Sequence, residues 1–309
     1  MIKFLVQRIL ALIPVILGVI FIVYTIMALT PGTPGSRILG PTADQAQIDA
    51  LNEQLGYDRP FPERFARYTL NVLQGDFGTS YLTGEPVFGR IFDRLPVTML
   101  LATLAVTTGV MIGVPLGILS AVRRYSYLDL ISTATAMFLA AVPEFWLGIM
   151  LILLFALNLG WLPTFGVESL ASFVLPTLAL ALPAAAAILR LTRATMLETI
   201  RQDYIRTARA KGAPGRTVIW NHALRNALIP VITMVGAFFG ALFGGTILTE
   251  TVFTMPGLGL LTLDAILMND TPQVMASVIF LSILFCLIML VVDIVLAFID
   301  PRVKARQMK

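Results

Sequence analysis

Charged residues are scarce in this chain. Only 13% of its 309 residues are Asp, Glu, Lys or Arg, whereas 57% are hydrophobic. A soluble domain with this balance could not cover its own surface with polar groups, so the composition excludes an ordinary soluble protein. We therefore expect lipid to be the solvent for most of the chain.

Cysteine and histidine are almost absent, and Cys286 and His222 are the only examples. One cysteine excludes a disulfide framework, and the two residues cannot form the clusters that hold zinc. The chain has no Gly-x-x-x-x-Gly-Lys-Ser/Thr phosphate loop and no nucleophile paired with His222. The sequence thus predicts a protein that is not an enzyme and holds no metal or cofactor. Its net charge of +4 follows from basic inner loops and does not indicate nucleic-acid binding.

Long apolar runs are what the chain has in abundance. Six of them approach or exceed the roughly 20 residues that a helix needs to cross a hydrocarbon core about 30 Å thick. They are continuously apolar rather than alternating, which favours helices over the strands of a barrel. The predicted spans are 9–29, 97–122, 130–157, 173–189, 227–248 and 274–299. We expect an all-α integral membrane protein with six transmembrane helices.

Basic residues indicate how these helices are oriented. All but six of the 22 Lys and Arg residues lie in segments that are cytoplasmic if the N-terminus is inside. The other six lie between Arg37 and Arg94, in a segment long enough to be translocated as a domain. The predicted organisation is an anchor helix at 1–29, an extracytoplasmic insertion at 30–95, a transmembrane domain at 96–300 and a tail at 301–309, with both termini cytoplasmic. The first apolar run is interpreted as a retained anchor, because a turn cluster without a small-x-small cleavage site follows it.

The insertion carries signals for two short helices. The sequence Thr42-Ala43-Asp44-Gln45 is typical of a capping box and predicts a helix that ends at Gly56. A second helix is expected after Pro62 and before Gly75. Its predicted packing face consists of Phe65, Tyr68, Leu70 and Leu73.

The third apolar run is interrupted by Pro143-Glu144, which predicts a kinked or broken helix. A carboxylate in the middle of a span costs about 2.5–3.5 kcal/mol in lipid, so Glu144 is expected to face protein or water. It could line the solute path, or it could lie near the outer interface against neighbouring backbone.

Glycine also recurs at every fourth position in two runs. These glycines are Gly109, Gly113 and Gly117 in the second run, and Gly236, Gly240 and Gly244 in the fifth.

Small-residue stripes of this kind let helix backbones approach closely in lipid. We interpret the first stripe as a helix-packing surface. The second could be ordinary packing, a dimer contact or a moving contact that lines the pore.

The segment 190–226 combines apolar residues at helical spacing with basic residues between them. The apolar positions are Ile200, Tyr204, Ile205 and Ala208, and the basic positions are Arg201, Arg206, Arg209 and Lys211. A Gly-Ala-Pro-Gly sequence at 212–215 ends this helix, and a second short helix is expected from Thr217. The pattern predicts an amphipathic helix-turn-helix elbow. It could pass motion from a soluble partner to the membrane helices, or its basic helix could simply lie on anionic lipid.

The sequence Asp-Tyr-Ile-Arg-Thr-Ala-Arg-Ala-Lys-Gly at 203–212, followed by His-Ala-Leu-Arg-Asn-Ala-Leu-Ile-Pro at 222–230, resembles the EAA loop of ABC-importer permeases of the dipeptide, oligopeptide and nickel group. Further motifs agree in order, namely Pro31-Gly32, Gly75-Asp76-Phe77-Gly78 with Ser80, Trp161-Leu162-Pro163, Glu250-Thr251-Val252-Phe253 and Pro256-Gly257-Leu258-Gly259. The resemblance covers nearly the whole chain and implies the type I permease fold.

The resemblance implies that the short helix of this loop docks into a groove of an ATPase subunit. The residues expected to couple to the ATPase are Asp203, Tyr204, Arg206, Thr207, Ala208, Arg209, Lys211, Gly212, His222, Arg225 and Pro230. Arg206 stands where a glutamate is usual, and the stretch from Gly212 to Pro230 is longer than in the general motif. The residues expected on the substrate path are Glu144, Gly236, Gly240, Gly244 and Glu250.

The resemblance further implies a set of partners in a bacterial inner membrane. They are a homologous second permease, two ABC ATPase subunits that bind ATP and Mg, an extracytoplasmic solute-binding protein and membrane lipid. The expected mechanism is alternating access, and the expected cargo is a di- or oligopeptide, glutathione or a nickel chelate.

Two other functions fit the residues alone. A secondary transporter could be driven by protons through Glu144 or through Asp293, although Asp293 lies only about 10 Å along a helix from its cytoplasmic flank. The chain could also be a membrane-anchored assembly factor without a transport role. The first alternative predicts uptake without nucleotide.

Overall fold

The computed structural model of the chain describes residues 2–40 and 42–299. The predicted tail at 301–309 therefore lies outside the described residues. The α-helices are α1 (Ile2–Leu29), α2 (Pro34–Leu39), α3 (Gln45–Gln54), α4 (Phe61–Leu73), α5 (Val87–Val122), α6 (Tyr127–Ala141), α7 (Glu144–Leu151), α8 (Val174–Ile200), α9 (Asp203–Ala210), α10 (Gly215–Thr217), α11 (Leu224–Gly245), α12 (Ile247–Val252), α13 (Leu258–Leu267) and α14 (Thr271–Ile299). Short π-helices at Ile152–Asn158 and Val218–Ala223 and a 3₁₀-helix at Leu170–Phe173 complete the set. Within these ranges, β-structure is limited to an isolated bridge between Thr79 and Pro86.

Six spans follow from the lengths and composition of these helices. Five helices are long and apolar enough to cross a membrane. The sixth span is the pair Tyr127–Ala141 and Glu144–Asn158, which is bent by 103°. The bend falls at Pro143, which has no N–H to donate and whose ring blocks the preceding turn, so the break predicted there is confirmed. The chain is an all-α membrane protein, as the apolar runs predicted.

Three span boundaries differ from the sequence-based prediction by ten residues or more. Helix α5 begins at Val87 rather than at residue 97, so the last residues assigned to the insertion belong to a spanning helix. Its first turns are amphipathic, with Val87 and Ile91 buried, and apolar length alone cannot detect such turns. Helix α8 runs to Ile200 rather than to residue 189. The fifth span is continuous from Gly215 to Gly245 rather than starting at residue 227.

The first compact unit of the chain comprises Met1–Thr98 and Pro256–Cys286. Its core includes the buried side chains of Ile20, Val87, Leu258 and Ile279. An aromatic cluster packs α4 onto α1, because Phe65 lies 5.5 Å from the ring of Phe21 and 5.6 Å from that of Tyr24. The same face of α4 contributes Tyr68, whose ring is 5.5 Å from that of Tyr24.

The insertion differs from the prediction in its capping and in its packing face. Helix α3 begins after Asp44, which makes no side-chain cap, so the capping box expected at Thr42 is wrong. The capping box instead lies at Thr33 and Ser36 and opens α2. Phe65 and Tyr68 pack against the core as expected, but Leu70 and Leu73 are exposed, and Val72 is the buried residue of α4.

A buried carboxylate ties the end of the insertion to the start of α14. Asp270 is 1% exposed and accepts hydrogen bonds from the Ser80 hydroxyl at 2.5 Å and from the Tyr81 N–H at 3.0 Å. Arg90 lies 3.8 Å away and supplies a positive charge. Because a buried carboxylate is costly unless it is satisfied, this group of contacts fixes the geometry of the loop.

The second compact unit comprises Met99–Met255 and Leu287–Lys309. Within it, the glycine stripe of α5 lies against α8. A Cβ added at Gly113 would meet the Ala185 carbonyl oxygen at 2.7 Å, and one at Gly117 would meet Thr192 at 2.6 Å. Gly109 is less crowded, since its nearest neighbour in α8 would be 3.4 Å away. The two helices therefore approach closely along this stripe.

Candidate coupling site

The short helix α9 lies between the long helices α8 and α11 in the chain, and its buried residue is Ile205. Ile205 is fully buried among residues of three elements. These neighbours are Ile118 and Ala121 of α5, Met196 of α8, and Val218, Ala223 and Ala227 at the start of the fifth span. Because protein interiors are close-packed, a movement of α9 would displace side chains of α5, α8 and the fifth span together.

The opposite face of α9 presents polar and basic side chains to solvent. The Asp203 and Arg206 side chains are 97% and 78% exposed and form an i, i+3 ion pair at 3.6 Å. Thr207 and Arg209 are exposed as well. The sequence around this face is strongly basic, so it suits a partner with acidic or polar groups.

Tyr204 connects α9 to the start of α11. Its hydroxyl accepts a hydrogen bond from the Asn226 side-chain amide at 2.8 Å. His222 and Arg225 lie on the exposed side of the same region. The hydrogen bond thus joins the first sequence motif, at 203–212, to the second, at 222–230.

The turn after α9 is set by Gly212, which has φ of +82°, in the left-handed region that favours glycine. The N–H of Ala213 donates to the Ala208 carbonyl at 3.2 Å, which closes the helix in a Schellman-like turn. Lys211 and Gly212 are exposed at this end. A side chain at position 212 would have space but would strain the backbone.

The projecting segment is shorter than the expected loop at 190–226. It comprises residues 201–214, since α8 continues to Ile200 and a continuous helix resumes at Gly215. The second arm of the expected elbow is the first turns of that long helix. Pro230 accordingly lies inside α11 and does not mark a separate return into the membrane.

A second polar contact, which the sequence alone did not reveal, lies in the same unit as α9. Asp129 is 4% exposed and receives two hydrogen bonds from Arg193 of α8, at 2.6 and 2.9 Å. The Ser120 hydroxyl and the Tyr125 N–H also donate to this carboxylate. Tyr125 has φ of +64°, so these contacts hold a strained turn between α5 and α6.

One signal in the sequence could have revealed Asp129. The pattern Ser126-x-x-Asp129 is typical of a helix N-terminus, and the Ser126 hydroxyl does accept from the Asp129 N–H. Arg193 lies within an apolar helix, where an arginine needs a partner.

The residues expected on the substrate path are scattered among different environments. Glu144 is half-buried in the first turn of α7 and makes no hydrogen bond or ion pair to the described part of the chain. Glu250 is fully buried and accepts a hydrogen bond from Thr246 at 3.1 Å. Gly236 is packed so tightly that a Cβ there would overlap Val292. The role of these positions in the substrate path stays a prediction.

The other two glycines of the second stripe differ from Gly236. Gly240 is buried, whereas Gly244 is exposed, and a Cβ added at Gly244 would meet no atom within 4 Å. The stripe is therefore a contact surface only along part of its length. No group of three or more His, Cys, Asp or Glu side chains among the described residues could hold a metal ion.

The fold and this site define a multi-pass membrane subunit with a short amphipathic helix between two of its spans. Residues 113–305 match the family model described as "Binding-protein-dependent transport system inner membrane component", and residues 1–102 match the N-terminal model of the same kind of component. The chain belongs to this family. It is a permease subunit of an ABC importer in the inner membrane, and not an enzyme, and membership implies separate ATPase and solute-binding partners.

Sequence relatives match along almost the whole chain. The glutathione transport system permease protein GsiC of Salmonella paratyphi A is 41% identical over 304 residues, which cover 98% of this chain and 99% of the relative. GsiC of Pectobacterium atrosepticum has the same values, and GsiC of Escherichia coli K12 is 40% identical over the same length. None of these matches supports a proton-driven carrier.

Solved structures confirm the fold. An inward-facing structure of the MetNI methionine ABC transporter matches with a TM-score of 0.59 and 22% identity, and covers 70% of this chain and 99% of the matched chain. An amino acid ABC transporter crystallised with histidines matches with a TM-score of 0.52 and 17% identity, over 70% and 94% of the two chains. The part of the chain that these structures cover therefore has the same fold as their membrane subunits.

Proposed function

We propose that this permease subunit carries glutathione or a similar short peptide across the inner membrane. The proposal is supported by relatives at 40–41% identity that are named as glutathione transport permeases and that match over 98% of the chain. Nickel chelates and longer peptides are the competing cargoes.

We propose further that α9 is the contact with the ATPase. The observation that carries this proposal is the two-faced character of α9, with Ile205 fixed in the permease and Asp203, Arg206 and Arg209 free to contact another protein. ATP and Mg would be bound by two ATPase subunits and not by this chain. When these subunits close on ATP, the pull on α9 would reach α5, α8 and α11 through Ile205 and shift the pore between its two states.

The remaining partners follow the same scheme. A homologous second permease would supply the other half of the pore, and a solute-binding protein would deliver the cargo to the outer face. Both termini would lie in the cytoplasm, on the side of α9, as the distribution of basic residues favours. Membrane lipid would surround the apolar faces of the spans.

Reconstitution into proteoliposomes tests the cargo and the energy source together. The chain would be combined with its partner permease, ATPases and binding protein, and accumulation of labelled glutathione would be measured. We expect uptake that requires ATP and the binding protein. Uptake driven by a proton gradient without nucleotide would overturn the ATP-driven mechanism, and ATP-driven uptake of nickel chelates but not glutathione would overturn the cargo.

A matched pair of variants tests the contact. Arg209 is exposed on α9, and Arg216 is exposed just beyond the projecting segment. We expect Arg209→Glu to reduce co-purification of the ATPase about tenfold, the equivalent of 1.4 kcal/mol, while Arg216→Glu has little effect. Equal losses in both variants would show a general charge effect, and no loss in Arg209→Glu would place the contact elsewhere.

A further inference from the structure

A cavity of about 240 Å³ lies in the first compact unit, between the end of α1, the short helices of the insertion and the start of α14. Four arginines line it, namely Arg37, Arg59, Arg64 and Arg67. Four tyrosines line it as well, namely Tyr24, Tyr57, Tyr68 and Tyr81. None of its lining residues is acidic. The cavity thus concentrates positive charge and hydrogen-bond donors without a matching negative group.

Two of the arginines are already committed to partners in the protein. Arg37 donates to the carbonyl oxygens of Pro31 at 2.9 Å and Asn269 at 3.0 Å, and also to Thr271. Arg59 is paired with Glu63. These contacts leave Arg64 and Arg67, for which the described residues provide no ion pair.

Two buried donors at the cavity have no acceptor. The Arg64 Nε and the Tyr68 hydroxyl are both inaccessible to solvent and find no hydrogen-bond partner among the described residues. The two residues are four apart on α4, so their side chains lie next to each other, and Arg67 is on the same side of the helix. A buried polar group without a partner destabilises the fold, and an added acceptor would recover this loss.

The donors are also held in place. The Arg64 guanidinium stacks on the Tyr57 ring at 4.2 Å, and the Tyr68 ring packs on Tyr24. Burial raises the pKa of Tyr68 and raises that of Tyr81 to about 12, so both phenols keep their protons at neutral pH. Fixed donors with no acceptor are the arrangement that proteins use to bind carboxylate and phosphate groups.

We propose that this cavity binds the carboxylate or phosphate group of a small anion, with Arg64, Arg67 and Tyr68 as its ligands. The volume suits one end of a small molecule, since complete sites for drug-sized ligands start at about 300 Å³. Two sources supply this chemistry, the carboxylates of a small solute and the headgroup of an anionic lipid, because α1, which lines the cavity, is also a spanning helix. The site is argued from the cavity itself and does not depend on glutathione being the cargo.

Equilibrium binding to the purified full-length chain in a non-ionic detergent tests the proposal. The probes are reduced glutathione, inorganic phosphate and dioctanoyl phosphatidylglycerol. We expect saturable binding of at least one probe. Binding of glutathione alone would identify a solute carboxylate as the ligand, and binding of the lipid alone would identify a headgroup, while binding of both or of phosphate would support the shared chemistry.

Three variants connect the binding to the cavity. Arg64→Gln is expected to raise the Kd about tenfold or more, because a charge-assisted hydrogen bond is lost. Tyr68→Phe keeps the ring and removes only the hydroxyl, so we expect a rise of about threefold. Arg94→Gln is the control, since Arg94 is exposed in the same unit and does not line this cavity.

The thermal midpoint of each variant is measured in parallel to show that it remains folded. The absence of saturable binding for all three probes would overturn the proposal. So would an unchanged Kd in folded Arg64→Gln, or an equal rise in Arg94→Gln.

Discussion

The insertion after α1 and the segment before α11 are both short stretches between long helices, but they are attached in different ways. The insertion is held by the aromatic packing of α4 on α1 and by polar contacts, such as those of Ser80 and Tyr81 with Asp270 and the bond from the Gly35 N–H to Asn52 at 2.8 Å. The segment at 201–214 is held by apolar packing of Ile205 and Ala208 and by one exposed hydrogen bond, from Asn226 to Tyr204, and its charged groups are exposed.

The difference indicates different tasks. Buried hydrogen bonds are directional, and breaking them leaves unsatisfied groups, so they fix one geometry. Burial of an isoleucine is strong but non-directional, so α9 can tilt while it remains attached. A rigid insertion suits a surface that holds a ligand, whereas a firmly attached but reorientable helix suits a coupling element.

The largest effect is expected at Asp129, a buried polar contact in the same unit as α9. A variant at Asp129 therefore tests whether polar contacts stabilise the chain strongly outside the insertion as well. Asp129→Asn leaves the Arg193 charge without its partner, which costs about 3 kcal/mol at the low end of measured values because Arg193 is partly exposed. The free energy of unfolding in mixed micelles measures the loss. The double variant with Arg193→Gln should recover part of it, and no recovery would show that the two residues act independently.

Ile205 tests the apolar attachment. Ile205→Ala removes a fully buried side chain from the contact with α5, α8 and α11, so we expect a loss of about 2–3 kcal/mol, less if the segment detaches locally. ATP-driven uptake should fall by more than the loss of folded protein explains, because motion of α9 would no longer reach the other helices. Ile205→Val, which costs about 1 kcal/mol, is the matched control. Full uptake by Ile205→Ala would mean that coupling does not pass through this contact.

Asp270 tests the polar attachment of the insertion. Asp270→Asn replaces charge-assisted hydrogen bonds from Ser80 and Tyr81 with weaker ones, so we expect a loss of about 1–2 kcal/mol. Proteolysis of the loop at 79–86 should become faster in the variant. Asp264→Asn is the control, because the Asp264 side chain is exposed and makes no hydrogen bond or ion pair with the described residues. Unchanged protection of the loop would contradict the anchoring role of Asp270.

Tyr204→Phe removes one exposed hydrogen bond, to Asn226, and keeps the ring. We expect a loss of no more than about 1 kcal/mol in stability. If this bond sets the angle of α9, ATP hydrolysis by the assembled complex should continue while uptake per ATP falls. Proportional losses of hydrolysis and uptake would instead indicate weaker docking.

The number and type of spans could be predicted because the thickness of the bilayer fixes how many apolar residues a helix needs. The boundaries could not. The first turns of α5 and the last turns of α8 are amphipathic, and they are helical because Val87, Ile91 and Met196 are buried against other elements. Such burial depends on tertiary contacts that hydropathy does not contain.

The coupling motif could be located from sequence because its residues are close together along the chain. The Asp129–Arg193 pair and the anion cavity could not be located in this way. Asp129 and Arg193 are 64 residues apart, and Tyr81 and Thr271 contribute to the cavity from distant segments. Arg193 lies inside an apolar helix, which indicates that it needs a partner but not which one, and the other three resemble ordinary helix-end or loop residues.

The smallest effect on the fold is expected for the charges on α9. Asp203 and Arg206 are largely exposed, and their ion pair at 3.6 Å is of the kind that contributes little to stability. Asp203→Asn should therefore leave the unfolding transition unchanged within error. If these charges serve a partner, the same variant should alter the rate at which the ATPase associates and the dependence of that rate on salt, because exposed charges at an interface mainly affect association. Asp49→Asn, an exposed acid in α3, should change neither quantity. A clear loss of stability in Asp203→Asn would mean that the charged face of α9 stabilises the fold of the permease. Polar contacts would then hold both the insertion and α9, and the two regions would no longer differ in this respect.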